Sequence, residues 1–181
     1  MPIANETEKI IELKNIIRDV PDFPKKGIIF KDITTLLARG DMFRRVIDEI
    51  SDRYKSAGIE KVVGIESRGF IFGAPIAYNL SAGVVPIRKK GKLPYKTLSE
   101  TYSLEYGTDT LEMHEDALKP GMKVIIVDDL LATGGTAKAT ARLVEKSGAK
   151  IAGIAFVIEL GFLNGRKALN NYDVFSLLKY D

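Results

Sequence analysis

Asp128 and Asp129 stand side by side, and the small run Ala132-Thr133-Gly134-Gly135-Thr136 follows shortly after them. Adjacent carboxylates do not bind phosphate. They accept hydrogen bonds from neighbouring hydroxyls or help hold a hydrated Mg²⁺. The run after them has the opposite preference. Gly134 and Gly135 tolerate positive φ and close backbone approach, so successive N–H groups can converge on an anion. A helix expected over 136–147 points its positive end at the same spot. A ligand with a phosphate at one end and a vicinal diol beside it fits both features, and ribose 5-phosphate is such a ligand. No Gly-Lys-Ser/Thr closes the loop and no Gly-x-Gly-x-x-Gly is present, which excludes a P-loop and a dinucleotide fingerprint.

Further segments carry chemistry. Gly64-Ile65-Glu66-Ser67-Arg68-Gly69-Phe70 reads as a strand end, a turn and a helix start. Backbone amides together with Arg68 suit a second phosphate. Arg88-Lys89-Lys90-Gly91-Lys92 places four cations in five positions, which would repel one another if unpaired. A diphosphate would offset that repulsion, and Arg88 and Lys92 are placed to supply the charge. Thr101–Gly107 carries one acid, Glu105, among apolar and aromatic groups, and a hairpin there could close as a lid that excludes water. Phe30 offers a flat face on which a base could stack. His114 is the only histidine and lies in the polar run Met113-His114-Glu115-Asp116, where a surface role is expected. With no cysteine and no second histidine, a histidine-rich metal site is excluded.

These residues need a scaffold. Val124-Ile125-Ile126-Val127 is an unbroken apolar run, the pattern of a strand covered on both faces, as in parallel sheets. Ligands bind outside the carboxyl ends of such strands. Further strands are expected at 61–65, 84–88, 151–159 and 174–178, with a hairpin formed by 102–106 and 110–113 around Gly107. Helices are expected at 6–18, at 41–54 with Asp41 as its cap, and at 69–80. Residues 20–27 form a turn-rich break, 28–30 a short extended piece, and 89–100 a basic segment that reads as mobile. Strands alternating with helices imply an α/β fold: a mostly parallel central sheet flanked by helices.

The composition is consistent with this. The chain has 181 residues, 45% hydrophobic and 28% charged, enough for one compact domain over 1–181. Net charge is +3, from 27 basic and 24 acidic residues, without the dense basic stripe of a nucleic-acid binder. No run of 18 apolar residues and no signal-peptide pattern is present, so a cytoplasmic protein with no membrane partner is expected.

Val124–Thr136 closely resembles the 5-phosphoribosyl 1-diphosphate (PRPP) motif of type I phosphoribosyltransferases. Asp22-Phe23-Pro24 and Gly27–Ile33 resemble the N-terminal hood of the members that act on adenine. Ile87–Pro94 and Ser103–Gly107 resemble their flexible catalytic loop. The resemblance runs from about Pro21 to the C-terminus. It implies the type I phosphoribosyltransferase fold, with an N-terminal helix and hood over 1–40 and a flexible loop or hairpin over 88–113. It assigns the ribose hydroxyls to Asp128 and Asp129, and the 5-phosphate to Ala132, Thr133, Gly134, Gly135 and Thr136. Diphosphate falls to Glu66, Ser67, Arg68, Gly69, Arg88 and Lys92, with a cis peptide bond between Glu66 and Ser67. Adenine falls to Ile29, Phe30 and Lys31; many members carry arginine where Lys31 stands. Catalysis falls to Arg68, Arg88, Lys92 and Glu105, with Tyr106 in the lid. Mg²⁺ is the implied cofactor, held indirectly near Asp128 and Asp129, mostly by substrate and water. The implied reaction converts adenine and PRPP to AMP and diphosphate in purine salvage, in a homodimer. Three rivals are an enzyme acting on 6-oxopurines, a regulator that binds PRPP or a nucleotide without turnover, and a PRPP-dependent synthetase-like scaffold protein, for which no second nucleotide site is found in the sequence. About twenty residues precede the hood, too few for the DNA-binding domain such regulators add.

Overall fold

The structure, a computed structural model, describes residues 6–103 and 107–181. The chain divides into two compact units, Met1–Ile47 and Asp48–Asp181. The first unit contains α1 (Glu6–Ile16), β1 (Arg18–Pro21), β2 (Ile29–Asp32), α2 (Thr34–Leu37) and the start of α3 (Gly40–Tyr54). Leu13, Ile17, Ile33, Leu36 and Val46 are buried in it, while Ile11 of the expected stripe is 52% exposed. β1 and β2 pair antiparallel, from Arg18 opposite Asp32 to Pro21 opposite Ile29. The sequence predicts a helix to Arg18 and a turn-rich break from Val20, and β1 takes the end of the one and the start of the other. Its residues are largely exposed, so no alternation of apolar and polar positions marks it. α2 was also not foreseen. Asp32 initiates it, accepting from the Thr34 N–H at 3.0 Å and the Thr34 hydroxyl at 2.7 Å. Asp41 lies in the first turn of α3 rather than ahead of it, and its carboxylate pairs with Arg39 at 2.8 Å.

The second unit is built on a sheet that has seven strands among the described residues, in the order β5-β6-β4-β3-β7-β8-β9. β3 is Lys61–Ile65, β4 Gly83–Lys89, β5 Thr97–Ser103, β6 Thr108–His114, β7 Lys123–Leu131, β8 Lys150–Leu160 and β9 Val174–Tyr180. β4, β3, β7, β8 and β9 run parallel, and β5 and β6 are added antiparallel at one edge. The unbroken apolar runs supply the centre. Val124 to Val127 are fully buried, as are Val62, Val63 and Ile154 to Ile158 to within a few per cent. Two helices, α4 (Arg68–Asn79) and α5 (Gly135–Lys146), flank the sheet. α5 buries Ala137, Ala139, Ala141, Leu143 and Val144.

The order of the strands positions the site. From β3 the chain crosses through α4 to β4 on one side; from β7 it crosses through α5 to β8 on the other. β3 and β7 are neighbours, with Gly64 opposite Val127, so the loops after them leave the sheet side by side and diverge. Such a switch point is where an open α/β sheet leaves a crevice for a ligand. The β5–β6 hairpin is longer than foreseen, running from Thr97 opposite His114 to Ser103 opposite Thr108. Residues 97–100, read as part of a mobile segment, are therefore strand. His114 is half-buried at the end of β6, its ring edge-on to Tyr95 at 6.2 Å, rather than on the open surface.

Candidate active site at the carboxyl ends of β3 and β7

β7 continues through both acids to Leu131, because Leu130 and Leu131 still pair with Ile158 and Glu159 of β8. Asp128 and Asp129 therefore project from the last part of a strand. Asp128 is half-buried and Asp129 only 6% exposed. Burial raises both carboxyls above their ordinary value. Asp128 is raised well above it, since the charge of Asp129 adds to its burial. Asp128 Oδ1 accepts the Asp129 N–H at 2.9 Å. The Arg68 guanidinium meets Asp129, with Nε 2.6 Å from Oδ2.

The loop after β7 turns at Gly134, whose φ of 84° is the left-handed region, and α5 starts at Gly135. A cavity of about 80 Å³ opens there, lined by Asp128, by Ala132 to Thr136 and by Phe156. Its backbone amides and the positive end of α5 make it an anion cradle. The wall behind it was not foreseen. A short 3-10 turn, Gly165–Leu169, packs on the loop so closely that a Cβ on Gly134 would lie 2.6 Å from the Gly165 carbonyl oxygen. Arg166 fixes this turn. Its Nε donates to both Glu159 carboxylate oxygens at 2.8 and 2.9 Å, and its Nη1 donates to the Val174 carbonyl at 2.8 Å. A Glu and an Arg seven positions apart carry no periodic signal, so only the fold reveals the pair.

The loop after β3 holds the expected cis peptide bond between Glu66 and Ser67. α4 begins at once, with Ser67 at its N-cap position and no capping bond from the Ser67 side chain. Gly69 lets this helix start against β7; a Cβ there would sit 2.8 Å from the Val127 carbonyl oxygen and 2.9 Å from Asp128 Oδ1. The two anion loops thus touch through Gly69 and through the Arg68–Asp129 pair.

The basic turn after β4 reaches the same place because Ile65 pairs with Ile87. The Glu66 carboxylate gathers it, taking the Lys92 ammonium, Arg88 Nε at 3.3 Å and the Lys89 N–H at 3.0 Å. Burial alone would raise the Glu66 carboxyl; Lys92, the Lys89 N–H and Arg88 outweigh it and hold it below its ordinary value. Glu112, a buried acid that sequence reading passed over, takes the Gly91 N–H at 2.9 Å and pins the tip of the turn. Glu66, Arg68, Arg88 and Lys92 are therefore brought together beside Asp128, Asp129 and the cradle.

The remaining expected residues stand elsewhere. Ile29, Phe30 and Lys31 lie in the first unit on β2. Ile29 is 56% exposed, Phe30 packs edge-on to Phe23 at 5.3 Å, and Lys31 pairs with Asp19 at 2.6 Å. Glu105 and Tyr106 lie outside the described residues. Among the described residues, no group of three or more His, Cys, Asp or Glu side chains gathers to hold a metal ion. One buried and one half-buried acid that repel each other suit a hydrated divalent ion held mainly by a polyanionic ligand. No helix among the described residues is long and apolar enough to cross a membrane.

Comparison with known proteins agrees with this geometry. Residues 31–179 match the family described as the phosphoribosyl transferase domain. A relative from Desulfitobacterium hafniense, named adenine phosphoribosyltransferase, is 59% identical over 172 residues, covering 95% of this chain and 99% of the relative. One of the same name from Geotalea daltonii is 60% identical over 169 residues, covering 93% and 99%. Among solved structures, adenine phosphoribosyltransferase from Thermoanaerobacter pseudethanolicus superposes with a TM-score of 0.91 at 52% identity, covering 94% of this chain and 99% of that one. The Saccharomyces cerevisiae enzyme, complexed with an imino-altritol bisphosphate and adenine, gives 0.90 at 41% identity, covering 95% and 99%.

Proposed function

We propose that this chain, which belongs to the phosphoribosyltransferase family, transfers the 5-phosphoribosyl group of PRPP to adenine, giving AMP and diphosphate in purine salvage. One observation carries the reading: two anion-binding loops meet at adjacent strand ends, joined by Arg68 and Asp129, with two acids between them. A sugar bearing a phosphate at one end and a diphosphate at the other matches that spacing of charges. Adenine as acceptor is supported by the hood sequence and by relatives that carry the name over nearly their whole length.

In this reading the cradle Ala132–Thr136 takes the 5-phosphate, and Asp128 and Asp129 take the ribose hydroxyls. The backbone of the Glu66–Gly69 loop, with the side chains of Arg68, Arg88 and Lys92, takes the diphosphate. The adenine N9 lone pair forms the bond to ribose C1 as the C1–oxygen bond breaks, with inversion. That electron pair leaves on the diphosphate, and the N9 proton passes to Glu105 or, where Glu105 only positions the base, to water. The protein forms no covalent bond; it aligns the reactants and stabilises the leaving group with fixed positive charge. Arg88 and Lys92 exchange the Glu66 carboxylate for diphosphate oxygens. Asp128 and Asp129 would help hold Mg²⁺ indirectly, mostly through substrate and water, and the ion would supply charge neutralisation for the diphosphate. Phe30 stacks on the purine while the backbone at Ile29 reads its edge. Ile29 stands opposite Pro21, which has no N–H to give it. Lys31 supplies positive charge near that edge, and Tyr106 closes the lid.

The enzyme works as a homodimer in the cytoplasm. Ile71 and Tyr78 on α4, with Val84 on β4, are 42%, 85% and 45% exposed, which supports an apolar contact between subunits. Incubation of the protein with PRPP, Mg²⁺ and adenine tests the reaction, with AMP followed by chromatography. AMP in equal amount to diphosphate is expected. PRPP binding without AMP would identify a regulator instead.

A further inference from the structure

The alternation of β5 sets Leu98, Glu100 and Tyr102 on one face and Ser99, Thr101 and Ser103 on the other, the latter exposed. The first face lies on α5. Glu100 takes Arg142 Nη1 at 3.0 Å and Lys146 Nζ at 2.7 Å, and Lys146 also donates to the Ser99 carbonyl at 2.8 Å. With the strand held this way, Tyr102 reaches the start of the helix. Its ring passes 3.5 Å from where a Gly135 Cβ would be, and its hydroxyl is 3.2 Å from Thr136 Oγ1. The β5–β6 hairpin thus enters the anion cradle through one hydroxyl pair.

We infer that Tyr102 is a positioning residue for the 5-phosphate, acting through Thr136. This rests on the reading of Ala132–Thr136 as the 5-phosphate cradle. Either hydroxyl of the pair could donate. A phosphate oxygen at the cradle removes that ambiguity. It only accepts, so the single Thr136 proton goes to it. Thr136 Oγ1 then has only lone pairs to offer Tyr102, and Tyr102 must donate. The result is a directed chain, Tyr102 O–H to Thr136 O–H to phosphate, in which each bond polarises the next. Tyr102 thereby fixes the Thr136 rotor in its phosphate-donating orientation.

A double-mutant cycle with Tyr102→Phe and Thr136→Val tests this, read as the dissociation constant of ribose 5-phosphate by calorimetry, with inorganic diphosphate as the second ligand. Tyr102→Phe keeps the ring and its packing. It should weaken ribose 5-phosphate by about threefold to tenfold, the effect of losing one hydroxyl bond. Diphosphate affinity should stay unchanged. In the Thr136→Val background, Tyr102→Phe should have no further effect. An equal effect in both backgrounds, or an affinity within about 1.5-fold of wild type for Tyr102→Phe alone, would overturn the role of Tyr102 while leaving the cradle. Undiminished ribose 5-phosphate binding by Thr136→Val would remove the cradle reading and this inference together.

Discussion

Arg68 Nε lies 2.6 Å from Asp129 Oδ2, so the loop that leaves β3 and the acids that end β7 are joined by an ion pair across the site. The pair is lopsided. Asp129 is 9% exposed at its side chain and Arg68 39%. Removing the guanidinium leaves a buried carboxylate without its charge partner. Arg68→Gln should lower kcat/KM for PRPP by about 10–100-fold, the range for a charged hydrogen bond. Its stability should fall by only about 1 kcal/mol, because a half-exposed partner is partly screened. Steady-state kinetics and a urea titration check both numbers.

Asp128 illustrates a conflict between stability and function. Its carboxyl is raised because burial and Asp129 disfavour the charged form. A raised carboxyl favours the folded state at low pH, and that advantage is lost as pH rises through the folded value. At neutral pH the ionised group is therefore a cost. Asp128→Asn keeps an oxygen to accept the Asp129 N–H and removes the charge. It should raise Tm at pH 7, lose that gain as the solution is acidified, and abolish most PRPP turnover. A lower Tm at pH 7 would contradict the assignment.

The turn behind the cradle offers a test away from any substrate contact. A methyl on Gly165 would run into the Ala132 carbonyl oxygen and the Leu131 side chain. Overpacking of this kind costs about 1–3 kcal/mol and is relieved by shifting the softer neighbour, here the loop. Gly165→Ala should raise KM for PRPP by at least about tenfold with the KM for adenine little changed. Equal changes in both would show that the damage is not confined to the cradle.

Glu105 lies outside the described residues, and its role is tested by substitution alone. If it takes the purine proton, Glu105→Gln should lower kcat/KM by at least about 10². A loss of no more than about threefold would move the proton to solvent.

The first unit has its own acid-sensitive joint. The Thr34 hydroxyl, then Arg18, hold the Asp32 carboxyl down to about 2 from an ordinary 3.8. A depressed carboxyl stabilises the fold fully above its unfolded value, and that contribution is lost as pH falls from about 4 towards 2. Asp32→Asn should be less stable than wild type at pH 7, and the gap should close below pH 4. A gap independent of pH would place the effect in the α2 turn alone.

The sequence made some of this legible and hid the rest for physical reasons. Val124–Val127 announced a buried parallel strand because four apolar residues in a row have no other economical place. Gly134 announced the cradle because the turn demands a positive φ. Lys61–Ile65 was read to the residue, and the cis bond at Glu66–Ser67 followed from resemblance. What stayed hidden depended on pairing across the fold. The clasp of Glu66 on Lys92 spans 26 positions, and Glu112 reaches Gly91 across 21. The Arg166 brace and the reach of Tyr102 to Thr136 exist only once β8, β9 and the hairpin are in place. β1 and α2 were missed because they are short and set by single contacts rather than by periodicity.

The central claim is transfer to adenine, and the most direct measurement is diphosphate release from PRPP with Mg²⁺, run in parallel with adenine, hypoxanthine and guanine. In the proposed reading the Ile29 backbone would offer a donor and an acceptor to the N1 and N6 edge of adenine, and an oxopurine would leave those groups unpaired. Release is predicted with adenine and at least about 10²-fold less with either oxopurine. Comparable release with hypoxanthine or guanine would keep the phosphoribosyl site and contradict the adenine reading.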